Sequence, residues 1–129
     1  MVHSLFFDGA SRSNPGKSSY GVVIYKDELE IATDYDYLGD YLTNNYAEYM
    51  ALIEGLKLAL RINVERLNVY GDSLLVINQM LGKWKVNSLN LKELNEEAKE
   101  FVKCFDEISF FHVKRELNKR ADELANLAF

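Results

Sequence analysis

Apolar and polar positions change their period near residue 43. Before it, short apolar runs alternate with turn residues. His3 to Asp8 is a compact apolar run closed by Asp8-Gly9 and reads as a buried strand. Ser19 to Lys26 is rich in aromatic and β-branched residues, and Ile31 to Leu38 alternates less cleanly. The polar Lys26-Asp27-Glu28 between them predicts a hairpin turn. The single proline, Pro15, lies in Ser13-Asn14-Pro15-Gly16, another turn. The first forty residues therefore predict an antiparallel meander.

From Thr43 the apolar spacing becomes helical. Tyr49, Leu52, Ile53, Leu56, Ala59 and Leu60 fall on one stripe, with Thr43 or Asn44 as the N-cap. Arg66 to Tyr70 reads as a strand ended by Gly71-Asp72, and Ser73 caps a short helix to about Leu81. Residues 90 to 103 form an amphipathic helix on Leu91, Leu94, Ala98, Phe101 and Val102. Ile108 to Val113 is a last strand, and Asn118 to Ala128 a last helix with Ala121, Leu124, Ala125 and Ala128 on one side. Three strands followed by alternating helix and strand predict an α/β fold. Its mixed sheet is antiparallel at one end and parallel further on.

Composition adds bounds to this pattern. The 129 residues, 48 % hydrophobic, suit one domain spanning residues 1–129 with a packed core. No basic segment followed by an apolar run opens the chain, and no apolar stretch approaches ~20 residues. No signal peptide and no membrane partner are expected, and a cytoplasmic protein fits. The lone Cys104 excludes an internal disulfide and, amid Phe101, Val102 and Phe105, is expected in the core. Two histidines, His3 and His112, are too few for an imidazole-built zinc site. The net charge of −5 speaks against a nucleic-acid partner, since phosphate binders usually carry a basic excess.

Four carboxylates change that picture. Asp8 and Asp72 each end an apolar strand, and on parallel neighbouring strands they would lie side by side. Sites in open α/β sheets form outside the carboxyl ends of strands. Glu48 sits one turn into the long helix at the edge of its stripe, and Asp122 sits similarly in the last helix. Both are expected half-buried, where an unpaired charge is costly. Any one of these acids alone reads first as a solvated surface residue or helix-start acid. Four at such boundaries do not. Hard oxygen ligands without His or Cys favour Mg²⁺ or Mn²⁺, and four carboxylates can hold two ions. Such a pair activates water against a phosphodiester.

The residues at these points resemble the type 1 ribonuclease H family. Phe7-Asp8-Gly9-Ala10-Ser11-Arg12-Ser13-Asn14-Pro15-Gly16 resembles its first motif, and Thr43-Asn44-Asn45-Tyr46-Ala47-Glu48-Tyr49-Met50-Ala51-Leu52 its second. Tyr70-Gly71-Asp72-Ser73 with Leu75-Val76 resembles the third, and His112 through Asn118 with Ala121 through Asn126 the last. The resemblance implies a ribonuclease H-like fold, a five-stranded mixed sheet flanked by helices. It implies an endonuclease that cuts the RNA strand of an RNA–DNA hybrid, leaving 3′-hydroxyl and 5′-phosphate ends. By position, Asp8 would bridge two Mg²⁺ (or Mn²⁺) ions. Asp122 would complete the site of the ion that activates water. Glu48 and Asp72 would hold the other, with Glu48 near the RNA 2′-hydroxyl.

The same resemblance supplies candidate hybrid contacts. Asn14, Asn44 and Asn45 would line the minor groove, and Gly9, Ala10 and Ser11 would present backbone to the RNA. Thr43 would hold a DNA phosphate. Asn118 would sit near the last carboxylate. For Asn14 the alternative is plain turn chemistry, and for Thr43, Asn44 and Asn118 it is helix capping. Trp84, between Lys83 and Lys85, would meet a DNA sugar, or else be a partly buried aromatic under a loop. Many members carry a catalytic histidine between the last strand and helix. Here that connection is short. Counted without gaps, His112 lies ten residues before Asp122, the spacing of that histidine; aligned on Val113-Lys114, the preferred reading, His112 falls inside the strand and Arg115 takes the loop position as catalytic auxiliary. A basic hybrid-binding handle is missing, so modest, salt-dependent affinity is expected. A monomer is expected. The alternative is a ribonuclease H-like binding module with little or no activity.

Overall fold

A computed structural model describes residues 1–129. Strands β1 (His3–Ser11), β2 (Gly16–Lys26) and β3 (Leu29–Leu42) run first. Helix α1 (Asn44–Arg61), strand β4 (Arg66–Gly71), helices α2 (Leu74–Met80) and α3 (Leu89–Val102), strand β5 (Glu107–His112) and helix α4 (Lys119–Leu127) follow. The sheet order is β3-β2-β1-β4-β5. Pairing is antiparallel from β3 to β1 and parallel from β1 to β5. This is the mixed sheet that the change of period predicts.

Local chemistry explains the elements. Asp27 and Glu28 adopt positive φ (51° and 66°), the two-residue hairpin geometry that matches strand twist. Thr43 caps α1 by accepting from the Tyr46 N–H at 3.2 Å. Ser73 and Ser88 cap α2 and α3 in the same way. Leu5, Phe7, Val22, Ile24, Leu67 and Val69 project from one sheet face onto Tyr49, Leu52, Ile53 and Leu56 of α1, all fully or nearly fully buried. On the other face α4 lies close to β2. A Cβ on Gly21 would stand 2.3 Å from the Ala121 carbonyl oxygen, so only glycine permits that approach. No helix is long and apolar enough to cross a membrane.

Three local expectations are corrected, and one element is added. The first strand does not end at Asp8. It continues to Ser11, because β2 keeps pairing with it through Ser11↔Ser18. The third strand runs from Leu29 to Leu42, longer than its alternation indicates, as β2 offers hydrogen bonds along its whole length. A short 3-10 turn, Arg115–Leu117, precedes α4. Cys104 is exposed. Helix α3 ends at Val102, so its stripe no longer governs, and the chain turns Phe105 inward and Cys104 outward.

Candidate active site

The parallel pairing of β1 with β4 ends at Phe7↔Gly71, which brings the next residues, Asp8 and Asp72, to the same end of adjacent strands. Glu48 enters from the second turn of α1. Its Oε1 accepts from the Gly9 N–H at 2.7 Å. That bond needs β1 and α1 nearly in contact, and a Cβ on Gly9 would lie 2.3 Å from the Ala47 carbonyl carbon. One ligand oxygen from each of Asp8, Glu48 and Asp72 lies within 4.8 Å of the others. Asp122, in the first turn of α4, lines the same cavity as Asp8 and Glu48 but is exposed rather than half-buried. Glu48 is more buried than expected, 9 % exposed.

The electrostatics follow from that crowding. Burial, then Glu48 and Asp72, hold the Asp8 carboxyl far above the usual carboxylate range, and Asp122 adds to this. Burial also raises Glu48. The Gly9 N–H and the Arg115 charge oppose that rise, while Asp72 and Asp122 reinforce it. Ionising the whole cluster requires compensating positive charge. The donor set is oxygen only, with no imidazole or thiolate among its members, and fits hard divalent cations.

Supporting residues fix the acids. Asn118 is 1 % exposed and donates from Nδ2 to the Phe7 carbonyl at 2.9 Å and to Asp72 Oδ2 at 3.0 Å. It begins α4 without making a side-chain cap. His112 ends β5, with Nε2 3.3 Å from the Asp72 backbone oxygen. Arg115, in the 3-10 turn, lines the acid cavity.

The cavity encloses about 530 Å³ and gathers Asp8, Gly9, Ala10, Ser11, Asn44, Glu48, Arg115 and Asp122 from among the expected residues. Asp72, Asn118, Thr43, Asn45, Asn14 and Trp84 do not line it, although Asp72 stays within reach of Asp8 and Glu48. Thr43 borders a separate cleft with Tyr41 and Tyr46. Asn14 Oδ1 accepts from the Asn44 N–H at 2.9 Å, which ties the β1–β2 turn to the start of α1. Trp84 is 46 % exposed in the loop after α2. Sequence reasoning missed three lining residues, Arg12, Asn126 and Phe129. Arg12 stands inside the first motif, but nothing in the one-dimensional pattern separates it from a turn arginine. Asn126 lies one helical turn after Asp122, where spacing alone marks it as a neighbour.

This is an α/β protein with a polar cavity lined by carboxylates at the ends of its parallel strands. A family model described as reverse transcriptase-like matches residues 6–128. Ribonuclease HI of Halobacterium salinarum is 42 % identical over 98 % of the chain. The solved RNase H1 of that organism superposes with a TM-score of 0.96 at 40 % identity, covering 99 % of this chain and 97 % of that one. A ribonuclease H of Caldicellulosiruptor saccharolyticus is 32 % identical, with 94 % of this chain and 91 % of the relative covered. LC11-RNase H1, solved in complex with an RNA/DNA hybrid, has a TM-score of 0.91 at 33 % identity, covering 98 % of this chain and 95 % of that one. The chain belongs to the ribonuclease H family. It spans 63 % of the curated Halobacterium protein's length and 33 % of mycobacterial relatives that are 38 % identical.

Proposed function

We propose that this chain, acting as a single domain, is a metal-dependent endonuclease that hydrolyses the RNA strand of RNA–DNA hybrids. The observation that carries the reading is the Asp8–Glu48–Asp72 cluster, with oxygens within 4.8 Å, two of whose members, Asp8 and Glu48, line one cavity with Asp122. Relatives named ribonuclease H, one of them solved with a hybrid bound, support the substrate class.

Asp8, buried between Glu48 and Asp72, is suited to be shared by two cations. Asp122 would serve the water side, and Glu48 with Asp72 the leaving-group side. Two Mg²⁺ or Mn²⁺ ions held there would supply Lewis-acid activation of water and neutralise charge on the phosphodiester. The water oxygen bonds to phosphorus as the bond from phosphorus to the 3′ oxygen breaks. The proton balance leaves a 5′-phosphate and a 3′-hydroxyl. Gly9 keeps Glu48 oriented, and Asn118 keeps Asp72 oriented. Arg115 brings a cation to the same cavity as catalytic auxiliary. Ala10, Ser11 and Asn44 offer short polar and backbone groups where the RNA strand would pass, and reading its 2′-hydroxyl separates RNA from DNA. Thr43, Asn45, Asn14 and Trp84 remain candidate contacts for the rest of the duplex.

The test is incubation of labelled hybrid, RNA duplex and single-stranded RNA with Mg²⁺ or Mn²⁺. Cutting of the hybrid RNA alone, abolished in Asp8→Asn, is the expected result. Hybrid binding without cutting under either metal would favour a binding module, and equal cutting of every substrate would overturn the reading.

A further inference from the structure

Arg12 is a cation in the cavity without an acid partner. It lies at the end of β1, and its backbone N–H donates to the Lys17 carbonyl at 2.8 Å across the turn. Its guanidinium carbon stands 4.2 Å from the centroid of the Phe129 ring. Phe129 follows α4, and its ring meets Tyr37 of β3 edge-on at 6.3 Å and 79°. The Tyr37 hydroxyl in turn donates to Asp40. Arg12 and Phe129 both line the cavity that holds Asp8, Glu48 and Asp122.

The contrast with Arg120 is informative. Arg120 is locked by Glu30 at 2.8 Å and by Glu123 at 2.5 Å. Arg12 forms no ion pair, although three carboxylates border its cavity. An arginine stacked on an aromatic face uses its plane and leaves its N–H groups free at the edge. Those edges suit two oxygens of one phosphate. The stack also orders a long side chain in advance, which lowers the entropy lost on binding.

We propose that Arg12, positioned by Phe129, binds a backbone phosphate of the cleaved strand adjacent to the linkage held at the acid cluster. This rests on the cavity being the hybrid site. Arg12 would then be a substrate contact, and Phe129 a positioning residue acting through it.

The experiment compares wild type, Arg12→Ala, Phe129→Leu and Phe129→Tyr on one hybrid in Mg²⁺ across a KCl series, with melting curves to verify folding. Fluorescence anisotropy reads hybrid binding in parallel. Arg12→Ala is expected to raise KM roughly tenfold with kcat within about twofold, and to lower the slope of log affinity against log salt by about one. Phe129→Leu should shift KM in the same direction, and Phe129→Tyr should restore it. A single uncharged methylphosphonate at the adjacent linkage, placed on either side of the cut in turn, should weaken wild type and leave Arg12→Ala no weaker than before. If wild type cuts the hybrid while Arg12→Ala keeps its KM and salt slope, this inference alone is overturned. A fall in kcat at constant KM would equally overturn it. An unchanged Phe129→Leu would remove the clamp. If wild type binds without cutting, the nuclease reading fails and anisotropy still decides Arg12. Neither cutting nor binding would overturn both.

Discussion

Asp8 and Gly9 are adjacent and do opposite things. Asp8 concentrates charge, and Gly9 makes room for the helix that brings more. Gly9→Ala would push β1 and α1 apart at a contact of 2.3 Å and break the 2.7 Å bond to Glu48. A destabilisation of about 2–4 kcal/mol in urea denaturation is expected, with cleavage falling well below that of wild type. Asp8→Asn should do the reverse to stability. The Asp8 and Glu48 carboxyls are held above their ordinary values chiefly by burial. For a raised carboxyl, the stabilising contribution is full below about pH 4 and is lost as pH climbs through the raised value. In chelator, the wild-type Tm should therefore fall between about pH 4 and pH 8, and the Asp8→Asn curve should be flatter. At pH 8 the variant should exceed wild type by on the order of 1–3 kcal/mol. Equal slopes for the two proteins would refute the electrostatic account. The acids were legible as a set of four, not one by one, and Asp8 proves to lie inside β1 rather than at its end. Their burial was not legible, since Glu48 is nearly closed off while Asp122 is open.

Elements matter here through what they hold at their ends. Helices α1, α2 and α3 meet around a buried polar chain. The Tyr49 hydroxyl donates to Gln79 Oε1 at 2.6 Å and accepts from Asn95 Nδ2 at 3.1 Å. Gln79 Nε2 donates to the Lys85 carbonyl at 3.1 Å, which pins the loop that carries Trp84. Gln79→Leu would leave the Lys85 carbonyl without this donor and deprive the Tyr49 hydroxyl of its acceptor. A loss of about 1–3 kcal/mol is expected, with faster amide exchange across residues 82–88. Unaltered exchange there would show that the loop is held by other contacts. Helical spacing identified Tyr49 as a core residue, and the structure buries it fully. It could not reveal that the core around Tyr49 is hydrogen-bonded, because apolar spacing takes no account of polar residues such as Gln79 and Asn95, which the fold buries.

At the scale of the whole molecule, the net charge of −5 is uneven. Residues 26–54 hold eight acids and one lysine, whereas residues 82–129 hold nine of each. Three of the twenty acids line the cavity and Asp72 clusters with two of them, so sixteen remain outside that group against fifteen basic residues. Two bound divalent ions would bring the total near −1. Millimolar Mg²⁺ should therefore raise the wild-type Tm in a concentration-dependent way and leave that of Asp8→Asn nearly unchanged. A matched rise in both would place the ion elsewhere. The change from strand to helical period near residue 43, the order of elements and the four acids follow from residue pattern alone. Apolar spacing and turn chemistry act over a few residues, and each leaves its mark in one dimension. What needed the third dimension is distance between segments far apart in sequence. The parallel register of β1 on β4 makes neighbours of Asp8 and Asp72, and Gly9 brings Glu48 to them. The end of α3 turns Cys104 outward, and the path after α4 sets Phe129 under Arg12. Those outcomes depend on how packed elements stop and turn, and only the folded chain decides that.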